Sequence, residues 1–226
     1  MTAAEHPFEF VYVGDPMCSW CWGFAPAVEQ LRDGFNIPLR VVVGGLRPGD
    51  SAEKLDDAMR SYLEQTWSQV ASRSGQPFDT SFLARTDGWV YDTELPAMAV
   101  VTMRKLHPDH ELAFFTHLQL AFYANGVDIT DSSAYPDLLA PFLDEPAEFL
   151  EAFTGDEARW EAWNDFSTAR SWGINGFPAL LLQDGDDLGL ITRGFQPASS
   201  LVPAVADFFV NKRPSEGVVC TIEGYC

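Results

Sequence analysis

The sequence predicts an α/β fold in which a central mixed sheet is flanked by helices and interrupted by a large all-helical insertion. Short apolar runs bounded by turn residues occur near both ends of the 226-residue chain, whereas the long middle segment has the apolar spacing of helices. With 46% hydrophobic residues, a chain of this length can bury the core of one enlarged domain. We therefore expect one domain built from residues 1–47 and 157–214, an insertion over residues 48–156, and a tail over residues 215–226.

The first elements are predicted to be a strand, a helix and a second strand. The run FEFVYV, residues 8–13, is apolar and ends in the turn residues GDP, which is typical of a buried strand. Apolar residues then recur at helical spacing over residues 19–33, with Gly34 expected as the C-cap. The run LRVVV, residues 39–43, predicts a second buried strand, and a helical crossover implies that the two strands are parallel.

The insertion and the return to the sheet complete the order of elements. Helical patterns dominate the insertion, and strand-like alternation is essentially absent from it. The predicted helices of this segment cover residues 52–72, 94–106, 109–125 and 135–143. A helix over residues 157–171 then precedes two strands, residues 179–182 and 188–192, which lie so close that they must form an antiparallel hairpin. With a last helix over residues 198–210, this is the order of a thioredoxin fold interrupted in its middle.

Composition and termini limit the class of protein. The formal net charge of −19 gives a negative surface that should repel nucleic acid and anionic membranes, so we expect neither as a partner. The N-terminal MTAAEHPFEF has no positive region and no apolar core, so it does not resemble a secretory signal. No stretch approaches the roughly 18 apolar residues needed to span a bilayer. We therefore expect a soluble, cytoplasmic protein.

The four cysteines occur as two close pairs, Cys18 with Cys21 and Cys220 with Cys226. In a reducing compartment, close pairs indicate redox chemistry or metal binding rather than static cross-links. The first pair lies between a predicted strand and a predicted helix, which favours a redox site. The alternative, a four-cysteine zinc site, would need the second pair to fold back beside the first. The four histidines show no metal-binding pattern, and we expect neither a metal nor a cofactor.

The position of the first pair suggests the chemistry of each thiol. A helix N-terminus stabilises a thiolate, so Cys18 is expected to be the attacking sulfur. Cys21 lies one helical turn further on and can resolve a mixed disulfide formed at Cys18. No basic side chain is near in sequence, so helix geometry would have to provide most of the stabilisation. Trp20 is expected on an apolar rim that contacts substrate, and Asp15 either caps the helix or accepts a proton from Cys21.

The segment DPMCSWCWGF, which follows a strand, resembles the active-site segment of the DsbA-like branch of the thioredoxin superfamily. The FrnE-type members and the predicted cytosolic disulfide isomerases are the most similar. The resemblance implies a helical insertion and a cis-proline opposite the redox pair, just before the third strand. GFPALLL matches that position, so the Phe177–Pro178 bond is expected to be cis. The backbone of Phe177 would then pair with an extended client segment.

The resemblance also implies a function, namely thiol-disulfide exchange on protein disulfides, as a reductase, an isomerase or an oxidase. The expected partners are disulfide-containing protein clients and a thiol reductant or oxidant. Some FrnE-type relatives carry a second cysteine pair near the C-terminus. Here Cys220 and Cys226 could relay electrons to the first pair, staple the tail, or have no role.

Two other functions remain open for the same fold. Kappa-type glutathione transferases and hydroxychromene-carboxylate isomerases commonly have a serine where the first cysteine stands, so Cys18 argues against them. Some DsbA-like proteins are adaptors that bind clients without a redox cycle. Such an adaptor would use the insertion for binding, and its cysteines would be regulatory.

Overall fold

The computed structural model describes residues 8–211 of the chain. The strands are β1 Phe8–Gly14, β2 Leu39–Val43, β3 Glu53–Lys54, β4 Val90–Tyr91, β5 Ala179–Asp184 and β6 Asp187–Arg193. The helices are α1 Ser19–Gly34, α2 Asp57–Ser74, α3 Glu94–Leu106, α4 Glu111–Tyr123, α5 Tyr135–Leu139, α6 Ala147–Ala152, α7 Asp156–Ser171 and α8 Ala198–Asn211. Among these residues, no helix combines the length and apolar composition required to cross a membrane.

A four-stranded mixed sheet with the strand order β2-β1-β5-β6 forms the centre of the molecule. β1 pairs in parallel with β2, as expected for two strands joined by α1. β5 runs antiparallel to β1 and pairs with β6 as a hairpin. The predicted fold class, a thioredoxin fold with helices around a mixed sheet, is therefore confirmed, and so are the parallel pair and the hairpin.

Helices cover both faces of this sheet. Alternate residues of β1 divide between the faces: Phe10 and Tyr12 join the large core, whereas Val11 and Val13 join a smaller cluster beside α7. α1 and α8 pack against each other on the side of the large core, and α7 contacts β2. Because neither face meets solvent, the central strands are continuous apolar runs rather than alternating ones.

The segment between β2 and α7 is mainly helical, but it differs in three ways from the predicted all-helical insertion. β3 and β4 form a separate two-stranded antiparallel sheet, too short to produce an alternating pattern in the sequence. The helix expected to begin at residue 52 begins instead at Asp57, because the carboxylate of Asp56 caps it by accepting a bond from the N–H of Met59. The helix α6 was also not predicted.

The helix that carries the cysteines is tied to the insertion. The indole N–H of Trp22 donates to the carbonyl of Pro77 at 3.0 Å, and the amide of Gln76 donates to the Trp22 carbonyl at 3.1 Å. Gly23 allows the close approach, since an added Cβ would lie 2.8 Å from Val70. The predicted C-cap at Gly34 was wrong by one residue: Phe35 is the cap, and its N–H donates to the carbonyl of Leu31.

Candidate active site

Cys18 and Cys21 lie at the start of α1, where β1 has just ended. Cys18 occupies the N-cap position with an extended backbone, and its carbonyl accepts from the N–H of Trp22 at 3.0 Å. Both cysteines are free thiols. Cys18 is 5% exposed, whereas Cys21 is fully buried. The predicted placement of the pair at a strand-to-helix junction is thus confirmed, with the first sulfur at the helix start and the second one turn along.

The Phe177–Pro178 peptide bond is cis, as predicted, and it lies opposite the cysteines. The thiol of Cys18 donates to the carbonyl of Phe177 at 3.7 Å. On the other side of the bond, the carbonyl of Pro178 accepts from the N–H of Gly194 at 2.7 Å. In the described part of the chain, the N–H of Phe177 forms no backbone hydrogen bond. This segment, just before β5, therefore offers a backbone donor beside the Cys18 sulfur.

Asp15 is fully buried beneath the cysteines, but it does not cap α1. The helix begins at Ser19 with Cys18 in the cap position, so the carboxylate of Asp15 lies one turn too early to reach the first helical N–H groups. Instead it accepts from the N–H of Met17 and from the N–H of Leu46, each at 2.8 Å. The capping alternative for Asp15 is therefore wrong.

The surroundings of Asp15 bring the pKa of its carboxyl group closer to neutral pH. Burial raises the pKa of Asp15 from 3.8 to about 6. The N–H groups of Leu46 and Met17, the hydroxyl of Thr93 and the charge of Arg47 lower the pKa again, but less than burial raises it. At neutral pH Asp15 is consequently a buried carboxylate that can still take up a proton.

Cys21 is held as a thiol. Burial raises the pKa of Cys21 well above its usual value, and the hydrogen bond to Cys18 and the charge of Cys18 raise the pKa further. The backbone of Asp15 acts in the opposite direction, but more weakly. The two sulfurs are thus close enough to interact, and Cys21 needs a proton acceptor before it can attack.

Two side chains from beyond β2 approach the site, and the sequence analysis missed both. The guanidinium of Arg47 lies 4.9 Å from the centroid of the Tyr91 ring and forms an ion pair of 2.7 Å with Glu53. The hydroxyl of Tyr91 donates to the carbonyl of Met17, the residue before Cys18. These residues lie far from the CxxC motif in sequence, so only the fold brings the cation close. The expectation that helix geometry provides most of the stabilisation of the Cys18 thiolate stays a prediction.

Trp20 lies half-buried in the first turn of α1, beside Cys21, and its contact with substrate stays a prediction. Its ring contacts Phe195 with centroids 5.6 Å apart, and the exposed Arg73 lies 5.5 Å from the Trp20 centroid. Phe195 follows β6 and Arg73 lies in the last turn of α2, so the rim combines residues from three separate parts of the chain. No local sequence signal connects them.

The two remaining site predictions concern metal binding and the second cysteine pair. Within residues 8–211, no group of three or more His, Cys, Asp or Glu side chains is placed to hold a metal ion. Cys220 and Cys226 lie outside the described residues, and so does the second half of the alternative four-cysteine zinc site.

Comparison with known proteins completes the description of the site. A scan of protein-family models finds no match, and a search of curated proteins finds none. A crystal structure from Nitrosomonas europaea, of a protein provisionally assigned as a protein disulfide isomerase, is 30% identical, with a TM-score of 0.82. The alignment covers 91% of this chain and 99% of that one.

The cytosolic disulfide reductase DsbM from Pseudomonas aeruginosa is 23% identical, with a TM-score of 0.76, and the alignment covers 89% of this chain and 99% of that one. A second structure of that reductase, with GSH, has a TM-score of 0.73. Identity of 30% over nearly the full length of both chains, together with the shared fold, shows that this chain belongs to the DsbA-like family of thioredoxin-fold oxidoreductases.

Proposed function

We propose that this protein catalyses thiol-disulfide exchange on protein disulfides, with Cys18 as the attacking sulfur and Cys21 as the resolving one. The observation that carries the proposal is the position of Cys18. It lies at the N-terminus of α1, opposite the cis Phe177–Pro178 bond, and its buried partner cysteine lies one turn away. A helix N-terminus stabilises negative charge through its free N–H groups and its dipole, which favours a thiolate at Cys18.

The exchange takes two displacements. The Cys18 thiolate attacks one sulfur of a client disulfide, so that a mixed disulfide forms and the other client sulfur leaves as a thiolate. Cys21 then loses its proton and attacks the Cys18 sulfur, which forms the Cys18–Cys21 disulfide and releases the second client thiolate. In this proposal Asp15 accepts the proton of Cys21, because its buried carboxylate has a pKa of about 6. The client thiolates take up protons from solvent.

The client is held by backbone and rim contacts. The N–H of Phe177 makes no backbone hydrogen bond within the described chain and can donate to an extended client segment. The half-buried Trp20 offers apolar contact area beside it. An extended peptide that adds to the start of β5 would bring its disulfide against Cys18, which favours protein clients over small molecules.

We propose that the protein works in the cytosol and that its net electron transfer is from the cysteine pair to the client. A pair whose potential lies above the cytosolic glutathione value rests reduced and serves as a reductase or an isomerase. Regeneration then needs two external thiols, which become a disulfide as the Cys18–Cys21 bond is reduced. The P. aeruginosa reductase is named as cytosolic, and one of its structures is named as a complex with GSH. We therefore propose glutathione or a similar thiol as the reductant.

Trapping tests the proposal. The Cys21→Ala variant should accumulate mixed disulfides through Cys18, because the resolving sulfur is gone while the attacking one remains. The measurement is non-reducing electrophoresis followed by mass spectrometry of adducts, with Cys18→Ala as the matched control that should accumulate none. If Cys21→Ala forms no adducts with disulfide-containing proteins, or if Cys18→Ala forms as many, the proposed function is wrong.

A further inference from the structure

Arg73 is an exposed cation in a strongly acidic protein. The formal net charge is −19, and most of the described basic side chains pair with a carboxylate, as Arg40 does with Glu9 and Arg104 does with Asp165. Arg73 lies in the last turn of α2, is exposed, and forms no ion pair within residues 8–211. Its guanidinium is therefore accessible to an anion from solution.

This cation is held against the redox motif. The guanidinium carbon of Arg73 lies 5.5 Å from the centroid of the Trp20 ring, which is a cation–π contact. Trp20 stands between Cys18 and Cys21 in the sequence and lies in the first turn of α1. A guanidinium above an aromatic ring keeps N–H donors in its own plane, and these donors match the two oxygens of a carboxylate.

The Trp20 ring also connects this cation with the cis-proline segment. Trp20 contacts the ring of Phe195, with centroids 5.6 Å apart. The N–H of Gly194 donates to the carbonyl of Pro178 at 2.7 Å, so Phe195 is adjacent to the cis bond. That bond faces the Cys18 sulfur. A molecule joined to this sulfur therefore lies at the same rim as the cation.

The hairpin of β5 and β6 has a similar distribution of charge. The exposed Arg193 is in register with Ala179, which directly follows the cis bond, and it forms no ion pair within residues 8–211. Asp184 and Asp187 pair at the opposite end of the hairpin, about 17 Å away along the strand. The hairpin thus has its cation at the end next to the redox site and its acidic residues at the far end.

We propose that Arg73 binds a carboxylate of the thiol that reduces the Cys18–Cys21 disulfide, so that carboxylate-bearing thiols such as glutathione are preferred over neutral or cationic ones. The inference rests on the proposed function and assigns a specificity-determining residue for its reductant. Protein clients differ in sequence from one to the next, whereas the reductant is the same molecule in every turnover. A fixed cation at the rim therefore suits the reductant better than the clients.

The contact acts while glutathione joins the protein. The first glutathione thiolate attacks the Cys18 sulfur, forms a mixed disulfide with it and displaces Cys21 as a thiolate, which takes up a proton from solvent. A second glutathione thiolate then attacks the glutathione sulfur of the mixed disulfide, which releases oxidised glutathione and the Cys18 thiolate. Both electrons gained by the cysteine pair come from the two glutathione sulfurs. Arg73 binds the carboxylate of the first glutathione and speeds the first of these displacements.

Reduction of the oxidised protein by thiols of different charge tests the inference. The thiols are glutathione, neutral 2-mercaptoethanol and cationic cysteamine, and thiol labelling with mass spectrometry follows the peptide that contains Cys18 and Cys21. Arg73→Ala should lower the rate with glutathione about 3- to 5-fold and leave the rate with 2-mercaptoethanol unchanged. Arg73→Glu should lower the glutathione rate further and raise the cysteamine rate, whereas Arg73→Lys should keep most of the parental preference.

Arg32→Ala is the matched control. Arg32 is an exposed arginine in the last turn of α1, about 21 Å along the helix from Cys18. Its removal changes the net charge by the same amount as Arg73→Ala, so equal effects of the two variants would reduce the result to general repulsion and contradict the inference.

Two further results would overturn it. One is an Arg73→Ala variant that reacts with glutathione at the parental rate, or that is slowed equally with glutathione and 2-mercaptoethanol. The other is a loss confined to disulfide peptides with Glu beside the cysteine, relative to peptides with Gln there, because the cation would then select acidic clients. Neither result touches the proposed function, which is tested separately by the Cys21→Ala trap.

Discussion

Gly44 has no side chain, and this leaves room for the ring of Phe177, the residue whose backbone is proposed to bind the client. The ring of Phe177 lies on Gly44 so closely that an added Cβ would be 2.2 Å from two ring carbons. The N–H of Gly44 donates to the carbonyl of Gly14 at 2.7 Å, which holds this contact at the end of β1, close to the cysteines. Phe177 is thereby kept in place at the cis bond that faces Cys18.

Gly44→Ala should displace Phe177, because the added methyl group has no room and the glycine backbone is anchored. We expect the free energy of unfolding to fall by about 1–3 kcal/mol, as overpacking of a core contact does. Exchange with a disulfide-bonded protein should slow as well, since the client-binding backbone moves. Urea denaturation and a reductase assay measure the two effects.

Gly34→Ala is the control for that variant. Gly34 ends α1, and an added Cβ would meet no atom within 4 Å. The substitution should keep exchange unchanged and raise the free energy of unfolding by about 0.4–1 kcal/mol, because alanine restricts the unfolded chain. Equal effects of the two substitutions would contradict the assigned role of the Phe177 contact.

At the scale of residues, the sequence was informative where a short motif carries the chemistry. Cys18 and Cys21 were located because they stand at the junction of a predicted strand and a predicted helix, and the cis bond before Pro178 was expected from the family resemblance. The role of Asp15 was harder to predict, because its partner Leu46 lies after β2 and the loop geometry decides which N–H it meets. The tyrosine and arginine side chains around the site come from distant segments and have no local signal.

At the scale of elements, the backbone groups on the outer edge of β2 form hydrogen bonds with side chains instead of with another strand. The N–H of Val41 donates to the carboxylate of Glu111 at 3.3 Å, and the N–H of Val43 donates to Asp165 at 3.0 Å. Arg104 completes the arrangement by donating to the Val41 carbonyl at 3.1 Å and to Asp165 at 2.8 Å. Three helices thus cover an edge that would otherwise offer free pairing groups.

Glu111 should make stability depend on pH. Burial raises its pKa from 4.5 to about 7, against the opposing charge of Arg104 and the N–H of Val41, while Asp165 raises the pKa and Arg40 lowers it. A carboxyl whose pKa is higher in the folded state contributes stability that is complete below pH 4.5 and is lost as pH rises through about 7. The loss is on the order of 3 kcal/mol at most.

Glu111→Gln should remove this contribution, because an amide keeps an acceptor for the N–H of Val41 and has no charge to desolvate. Urea unfolding at pH 5 and at pH 8 measures it, and the stability of the parent should fall more between these values than that of the variant. Asp15 provides a slope of the same sign in both proteins, since its pKa is also raised. Parallel pH dependences of parent and variant would contradict this account of the β2 edge.

The elements themselves were mostly predictable. β1, β2 and α3 follow from apolar spacing alone, because each is long enough to repeat its pattern and is bounded by turn or capping residues. β3 and β4 have two residues each, so no periodicity could identify them. The boundaries of α2 and α5 depended on local caps and turns, which is where the predicted ranges were least accurate.

At the scale of the whole molecule, the redox site is completed by the segment between β2 and α7. Tyr91, Tyr123 and Arg47 all come from it, and they surround cysteines that belong to the strand-helix-strand unit at the start of the chain. The sequence predicted both parts but not their mutual arrangement, because side-chain packing between distant segments leaves no periodic trace. The composition predicted the acidic character of the molecule, with a net charge of −19. Arg47 and Arg73 are two positive charges that lie beside the site in this acidic molecule.

The most direct test of the central claim is the rate of alkylation of each cysteine by iodoacetamide in the reduced protein, followed by mass spectrometry as a function of pH. The position of Cys18 at the start of α1, where free N–H groups stabilise negative charge, predicts that it reacts at neutral pH about 10-fold faster or more than an unstructured cysteine. Cys21, fully buried and held as a thiol, should react far more slowly. Reaction of Cys18 no faster than that of an unstructured cysteine, or equal reaction of both thiols, would contradict the account.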